Sequence, residues 1–307
     1  MAIDWETPEY YARHRDDVVC DLAEALKSEI LGLMVGAGAS QGLDLPAWHD
    51  LVANCCATSP GKIETTGIDA NSSGDELLLR MERVRDSYKG NDDAYLDSVQ
   101  KALYANWIDP HISKAPELMR AIGVLVMGSV RGRINSIINF NFDSLLEWYL
   151  SLHGYVVQVI EDVPRGLVNA DVRTFHPHGY LPLNSSLGQR SPMILFDKKE
   201  AEKRMVDRSD AWMDIFRFLL GSQVFLAVGL SGRDPMANLV IAAAKHQRRA
   251  DDNRPLGFWF YKNGSLQADY ENNLSGKKVV LVGCDSYGEI SETLFHIARE
   301  AAGAVIV

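Results

Sequence analysis

Cysteine is scarce in this chain of 307 residues. Cys20, Cys55, Cys56 and Cys284 form no Cys-x-x-Cys pair, which excludes a structural zinc ribbon, and they are too few for a disulfide scaffold. Such usage fits a cytoplasmic protein with free thiols. Long apolar runs are missing too. No stretch approaches the roughly 18 consecutive apolar residues of a membrane helix, so no membrane partner is expected. Residues 1–11 lack the basic start and apolar run of a secretory signal. Positive charge is in deficit, with 31 Lys and Arg against 41 Asp and Glu, a net charge of −10. That balance argues against direct nucleic-acid binding, which depends on neutralising phosphates. Two local basic runs, 198–204 and 245–249, read as solvated helix faces. What remains is ordinary: 47% hydrophobic and 23% charged residues, which rules out a disordered or fibrous chain.

Apolar periodicity gives an α/β pattern. Short apolar runs at 30–35, 134–140, 155–160, 172–176, 224–228, 256–261 and 278–282 read as strands. Helical spacing appears at 16–29, 48–57, 75–87, 92–106, 116–130, 143–153, 207–220, 235–249 and 289–302. Strands alternating with helices predict a Rossmann-like, mainly parallel sheet with helices on both faces. The block from about 58 to 130 has no strand signal. It is expected to be a helical insertion, or a helical layer, between two strands of a single domain spanning 1–307.

Chemistry-bearing residues gather at strand ends, where ligands bind in open α/β sheets. Gly36-Ala37-Gly38-Ala39-Ser40 follows the first strand. Such a turn lets backbone N–H groups approach a pyrophosphate, or is simply a tight turn into a helix. A dinucleotide fingerprint would need glycine at 41, where Gln stands, and no Gly-Lys-Ser/Thr of a P-loop follows. Asn139, Asn141 and Asp143 end the second strand; one of them is enough for a helix cap, which leaves two over. Thr174-Phe175-His176-Pro177-His178-Gly179 ends another strand, and histidine is the usual general base near neutral pH. A turn with a surface histidine is the plain alternative. Gly229-Leu230-Ser231 and Gly283-Cys284-Asp285 repeat the pattern, and Asp234-Pro235 opens a helix as a cap. All these ends are expected to line one crevice.

Together these motifs resemble the sirtuin-like superfamily. The resemblance rests on Gly36-Ala37-Gly38-Ala39-Ser40 with Leu45-Pro46-Ala47-Trp48 behind it, on Asn141-Phe142-Asp143, His178-Gly179, Gly229-Leu230-Ser231 and Gly283-Cys284-Asp285. Deacylase sirtuins carry a four-cysteine zinc module between the His-Gly segment and the Gly-x-Ser strand; here residues 180–228 hold no cysteine. The Gln of their Gln-Asn-x-Asp motif is Phe140, and their Asp-Phe-Arg stretch is Ala47-Trp48-His49. These departures are similar to bacterial sirtuin-like effectors of anti-phage defence, which hydrolyse NAD.

The resemblance implies NAD as substrate, no zinc, and cleavage to ADP-ribose and nicotinamide. It implies Asn141, Asp143 and His178 as catalytic residues, with His178 the general base. Gly36, Ala37, Gly38, Ser40, Trp48, Gly229, Ser231 and Asp285 are then the NAD-binding residues. ADP-ribosyl transfer, NAD-dependent deacylation and non-catalytic sensing of NAD or ADP-ribose are the alternatives. Because a free NADase is toxic, a homo-oligomer or a separate regulatory protein, an ATPase or an Argonaute-like protein, is expected to restrain it. The apolar stretch 301–307 is a candidate contact for such an assembly.

Overall fold

The computed structural model describes residues 3, 5–69, 72–107, 115–128, 133–161, 168–192, 194–195, 211–232, 234–245, 254–264, 274 and 278–303. Seven strands form one sheet: β1 (Leu31–Val35), β2 (Ser136–Asn139), β3 (Val157–Ile160), β4 (Val172–Phe175), β5 (Val224–Val228), β6 (Gly257–Lys262) and β7 (Val279–Cys284). Their order is β3-β4-β2-β1-β5-β6-β7, and every neighbouring pair is parallel. All strands therefore end at the same edge. From β1 the chain runs to β2 on one side, and from β4 it crosses to β5 on the other. β1 and β5 thus flank the topological switch point, the usual ligand crevice of such sheets.

Ten helices accompany the sheet among the described residues: α1 (Pro8–Tyr11), α2 (Arg15–Lys27), α3 (Trp48–Thr58), α4 (Gly74–Ser87), α5 (Asp92–Leu103), α6 (Glu117–Met127), α7 (Leu145–Leu152), α8 (Ala211–Ser222), α9 (Pro235–Lys245) and α10 (Tyr287–Ala302). Side-chain caps start several of them. Ser73, Asn91 and Ser286 accept from the backbone amides of Glu76, Ala94 and Glu289, satisfying donors that the first turn leaves open. Gly303, with φ of 59°, ends α10 in the left-handed region.

Both faces of the sheet are covered, which is why β1 and β5 are buried at every position. Successive strand residues point to opposite faces. Leu31, Leu33, Val35 and Leu226 pack with Leu22 of α2, Ile122 and Leu125 of α6, Leu146 of α7 and Leu294 of α10. Met34, Phe225, Ala227 and Trp259 pack on the other face with Phe216 and Leu220 of α8 and Val240 and Ile241 of α9. A third cluster joins Val52, Cys55 and Cys56 of α3 to Met81 and Val84 of α4 and Leu96 and Val99 of α5.

The helical block divides differently from the expected span of 58–130. α3 joins α4 and α5, whereas α6 lies against the sheet because its apolar stripe, Ala121, Ile122, Leu125 and Val126, is wide enough to be a core face. β7 also runs beyond the expected 278–282. β6 extends to Lys262 and offers ladder partners to Gly283 and Cys284, so these two belong to the strand and not to a loop after it. The basic run 198–204, residues 246–249 of the second run, the expected helix starts at 207–210 and the apolar residues 304–307 lie outside the described residues.

At the switch point the turns after β1 and β5 touch backbone to backbone. A Cβ on Gly36 would lie 2.6 Å from the Gly229 oxygen and 2.6 Å from the Leu230 Cα; one on Gly38 would lie 2.7 Å from the Gly229 Cα. Gly229 itself has φ of 63°. Gly36→Ala should therefore destabilise the protein by about 1–3 kcal/mol. Gly221→Ala, in α8 with nothing within 4 Å of the added carbon, should be neutral or stabilise by up to about 1 kcal/mol. Urea unfolding of the two variants checks the contrast; equal midpoints would contradict it.

Candidate functional site

The turn after β1 is a 3₁₀ turn over Ala37–Ala39. Gly36 N–H donates to the Val228 carbonyl (3.2 Å) and Gly38 N–H to the Gly229 carbonyl (2.9 Å). Ala39 and Ser40 amides donate back to Gly36 and Ala37 (3.0 and 3.2 Å). These four amides are committed inside the protein. The glycines serve the close contact with the β5 turn, as the tight-turn reading of this segment has it. Ala37 is the exposed residue of the turn, Gly38 is half-buried and Ser40 is buried.

The turn after β2 ties itself to the turn after β1. Asn141 donates its side-chain amide to the Gly36 carbonyl (3.1 Å) and to Ser40 Oγ (3.4 Å). Neither bond uses its Oδ1. Ser40 Oγ in turn donates to the Asp143 carboxylate, 3.0 and 3.1 Å from its two oxygens. Asp143 also accepts from the Leu145 amide (3.0 Å), the first residue of α7, so it holds the turn into that helix as well as Ser40. Asn139 is fully buried; its Oδ1 accepts from the Asn141 amide (3.1 Å), and its Nδ2 has no partner among the described residues. Burial pushes the Asp143 carboxyl up to about 6, with Glu147 adding to the rise, while bonds from Leu145 and Ser40 and the nearby His176 hold it back.

Two histidines close the arrangement from β4. His176 Nδ1 lies 3.0 Å from the Asn141 carbonyl and His178 Nδ1 lies 3.1 Å from the Phe140 carbonyl. A carbonyl only accepts, so both Nδ1 atoms carry their proton. The histidines at i and i+2, around Pro177, thus clamp two consecutive carbonyls of the β2 turn.

Their other nitrogens differ. His176 is wholly buried, with Nε2 2.9 Å from Glu147 Oε1 on α7. With Nδ1–H fixed, that contact needs one shared proton, on imidazolium or on carboxyl. Glu147 Oε2 is buried without a partner among the described residues. His178 is 15% exposed, its ring edge-on to Phe140 and stacked on Phe142. Its Nε2 is the free basic atom and lies 3.6 Å from Asp234 Oδ1. Of the two histidines of this segment, the resemblance singles out His178 for chemistry; the structure makes His176 half of a buried pair with Glu147.

The remaining residues fall into two groups. Gly229 and Ser231 lie beside the glycine turn, Ser231 exposed and its carbonyl accepting from the Asp234 amide (3.3 Å). Asp234 accepts from the Ala237 amide (2.9 Å), as the cap reading requires. Its pairing with a histidine 56 residues earlier had no signal in the sequence. Trp48 opens α3, half-buried on the third cluster. Asp285 is not brought to the others. It is exposed after the edge strand β7, two strands from β5 and so roughly 10 Å away, and it accepts from Asn263 (3.0 Å). The four thiols are unpaired, and burial pushes Cys55 up to about 12. Among the described residues no group of three or more His, Cys, Asp or Glu could hold a metal ion, and no helix is long and apolar enough to cross a membrane.

The Asp143 carboxyl titrates higher folded than unfolded, so it favours folding below about pH 4, and this contribution is lost as pH rises through about 6. Asp143→Asn is always neutral and can still bond Ser40 and the Leu145 amide. Urea unfolding should show the variant more stable than wild type at pH 7, by on the order of 2–3 kcal/mol, and the gap should close toward pH 4. Equal stability at pH 7 would contradict this account of the carboxyl.

Residues 135–282 match a family model described as a SIR2-like domain. The match takes in Asn141, Asp143, His178, Gly229 and Ser231, while the β1 turn, the α3–α5 cluster and Asp285 lie outside it. Among curated proteins none matches the chain. This part of the chain is similar to SIR2-like domains, and the similarity supports a Sir2-like relationship and an NAD-related function.

Proposed function

We propose that the protein is an NAD glycohydrolase releasing nicotinamide and ADP-ribose, and that it serves as an NAD-depleting effector of bacterial anti-phage defence. The observation that carries the chemistry is His178. Its Nδ1–H is held by the Phe140 carbonyl, its ring by two phenylalanines, and its Nε2 is the basic atom at the edge where the turns converge. That is the arrangement of a preset general base. The family match supports NAD as the substrate class.

In this reading Asn141, fixed through Gly36 and Ser40, orients the attacking water or the ribose hydroxyls. Water's oxygen bonds to the ribose C1′ as the C1′–N bond breaks. The electron pair of that bond leaves with neutral nicotinamide, and water's proton goes to His178 Nε2. Asp143 acts through Ser40, holding the β1 turn against the β2 turn. Ala37, Gly38, Gly229 and Ser231 line the phosphate side, and Trp48 and Asp285 are outlying candidates for NAD contacts. A free NADase would drain its own cell, so restraint by self-association or a separate regulatory protein belongs to the proposal.

His178→Ala should lower NAD cleavage by ~10²–10⁴, with a modest loss of stability because it frees the Phe140 carbonyl. Asn141→Ala should also silence the activity, with a modest loss of stability because it frees the Gly36 carbonyl. Nicotinamide release measured by chromatography checks both. Wild-type rates in both variants would sink the hydrolase mechanism.

A further inference from the structure

We propose that Asp234 is the charge partner of His178: it faces the base nitrogen and stabilises the imidazolium formed when that nitrogen takes the proton. The inference rests on His178 being the base. Asp234 Oδ1 stands 3.6 Å from Nε2, slightly beyond a direct hydrogen bond, and both side chains are only 15% exposed. The Phe140 carbonyl fixes the Nδ1 proton, so any new proton must arrive at Nε2, on the side facing Asp234. In a site shielded this far, a carboxylate at this distance gains little from screening by water and acts directly on the new charge.

The carboxylate is itself held in place and kept ionised. The Ala237 amide at the start of α9 donates to it. Burial alone would raise its carboxyl, but the His178 charge beside it and the backbone amides of Ala237 and Met236 bring it below the usual carboxylate range. The helix start supplies part of that stabilisation, since backbone amides at an N-terminus favour an anion. The proton balance is complete: water loses its proton to Nε2, its oxygen bonds to C1′, and nicotinamide leaves with the C1′–N electron pair. Asp234 takes no proton. It is a positioning residue that acts through His178.

The test uses full-length protein, NAD and two readouts. Asp234→Asn keeps the cap on α9, because asparagine also accepts from the Ala237 amide. It should lower kcat on the order of 10- to 100-fold, a step below the loss on removing a direct transition-state donor, with KM within about twofold. Asp234→Glu should recover part of kcat. A wild-type kcat in Asp234→Asn, or a raised KM with kcat unchanged, would overturn the proposal. The second readout needs no activity: ¹³C NMR of the Asp234 carboxyl in wild type and in His178→Gln. The titration midpoint should move to higher pH in His178→Gln, and an unmoved midpoint would overturn the pairing. If the midpoint moves but wild type does not cleave NAD, the pairing stands and the hydrolase reading fails.

Discussion

Everything at the sheet's carboxyl edge depends on one contact, the backbone of the β1 turn lying directly on the backbone of the β5 turn. Gly36, Gly38 and Gly229 permit it, since a side-chain carbon at any of the three would fall within 3.0 Å of the opposing chain. The contact fixes where the Gly36 carbonyl and Ser40 Oγ stand, and these are the two atoms to which Asn141 donates. Asp143 takes the Ser40 hydroxyl and holds the turn into α7, which carries Glu147 to His176. The chain of bonds ends at the clamp of His176 and His178 on the carbonyls of Asn141 and Phe140.

Such a network has a chemical consequence. Side chains are held by backbone carbonyls and buried partners, so they have little freedom left to lose when a substrate is bound. The two histidines show how environment divides identical groups. His176, sealed against Glu147, is committed to structure, while His178, one turn outward, keeps a free nitrogen with a carboxylate opposite. The shared proton of the first pair lowers the cost of burying Glu147, and the second pair keeps its charge near the edge.

Much of the fold was legible because a parallel sheet writes itself as short apolar runs. β5 falls at 224–228 as expected, and β1 loses only Ile30. Helical spacing left open whether the 58–130 block was an insertion or a layer on the sheet, because spacing does not say which layer a helix joins; α6 packs on the sheet face. The strand end at 282 was placed too early, since the reach of β7 depends on β6 beside it. Asn141, Asp143 and His178 stood out as excess polar residues at strand ends; Ser40 links the first two, and His178 sits on the carbonyl of Phe140 next to Asn141. Asp285 stood out by the same rule but follows the edge strand β7, because strand order is not written in the spacing. Glu147 was hidden inside an apolar helix pattern, and Asp234 behind a sufficient role as a cap. Both show themselves only by the histidines they face.

The central claim is hydrolysis of the nicotinamide–ribose bond by water. The direct measurement is incubation of the protein with NAD in ¹⁸O-labelled water, with mass spectrometry of every product. The account predicts free nicotinamide and ADP-ribose in equal amounts, the ADP-ribose carrying one ¹⁸O introduced at C1′. Nicotinamide released with the ADP-ribosyl group on a protein or in a cyclic product would contradict it, as would NAD left intact.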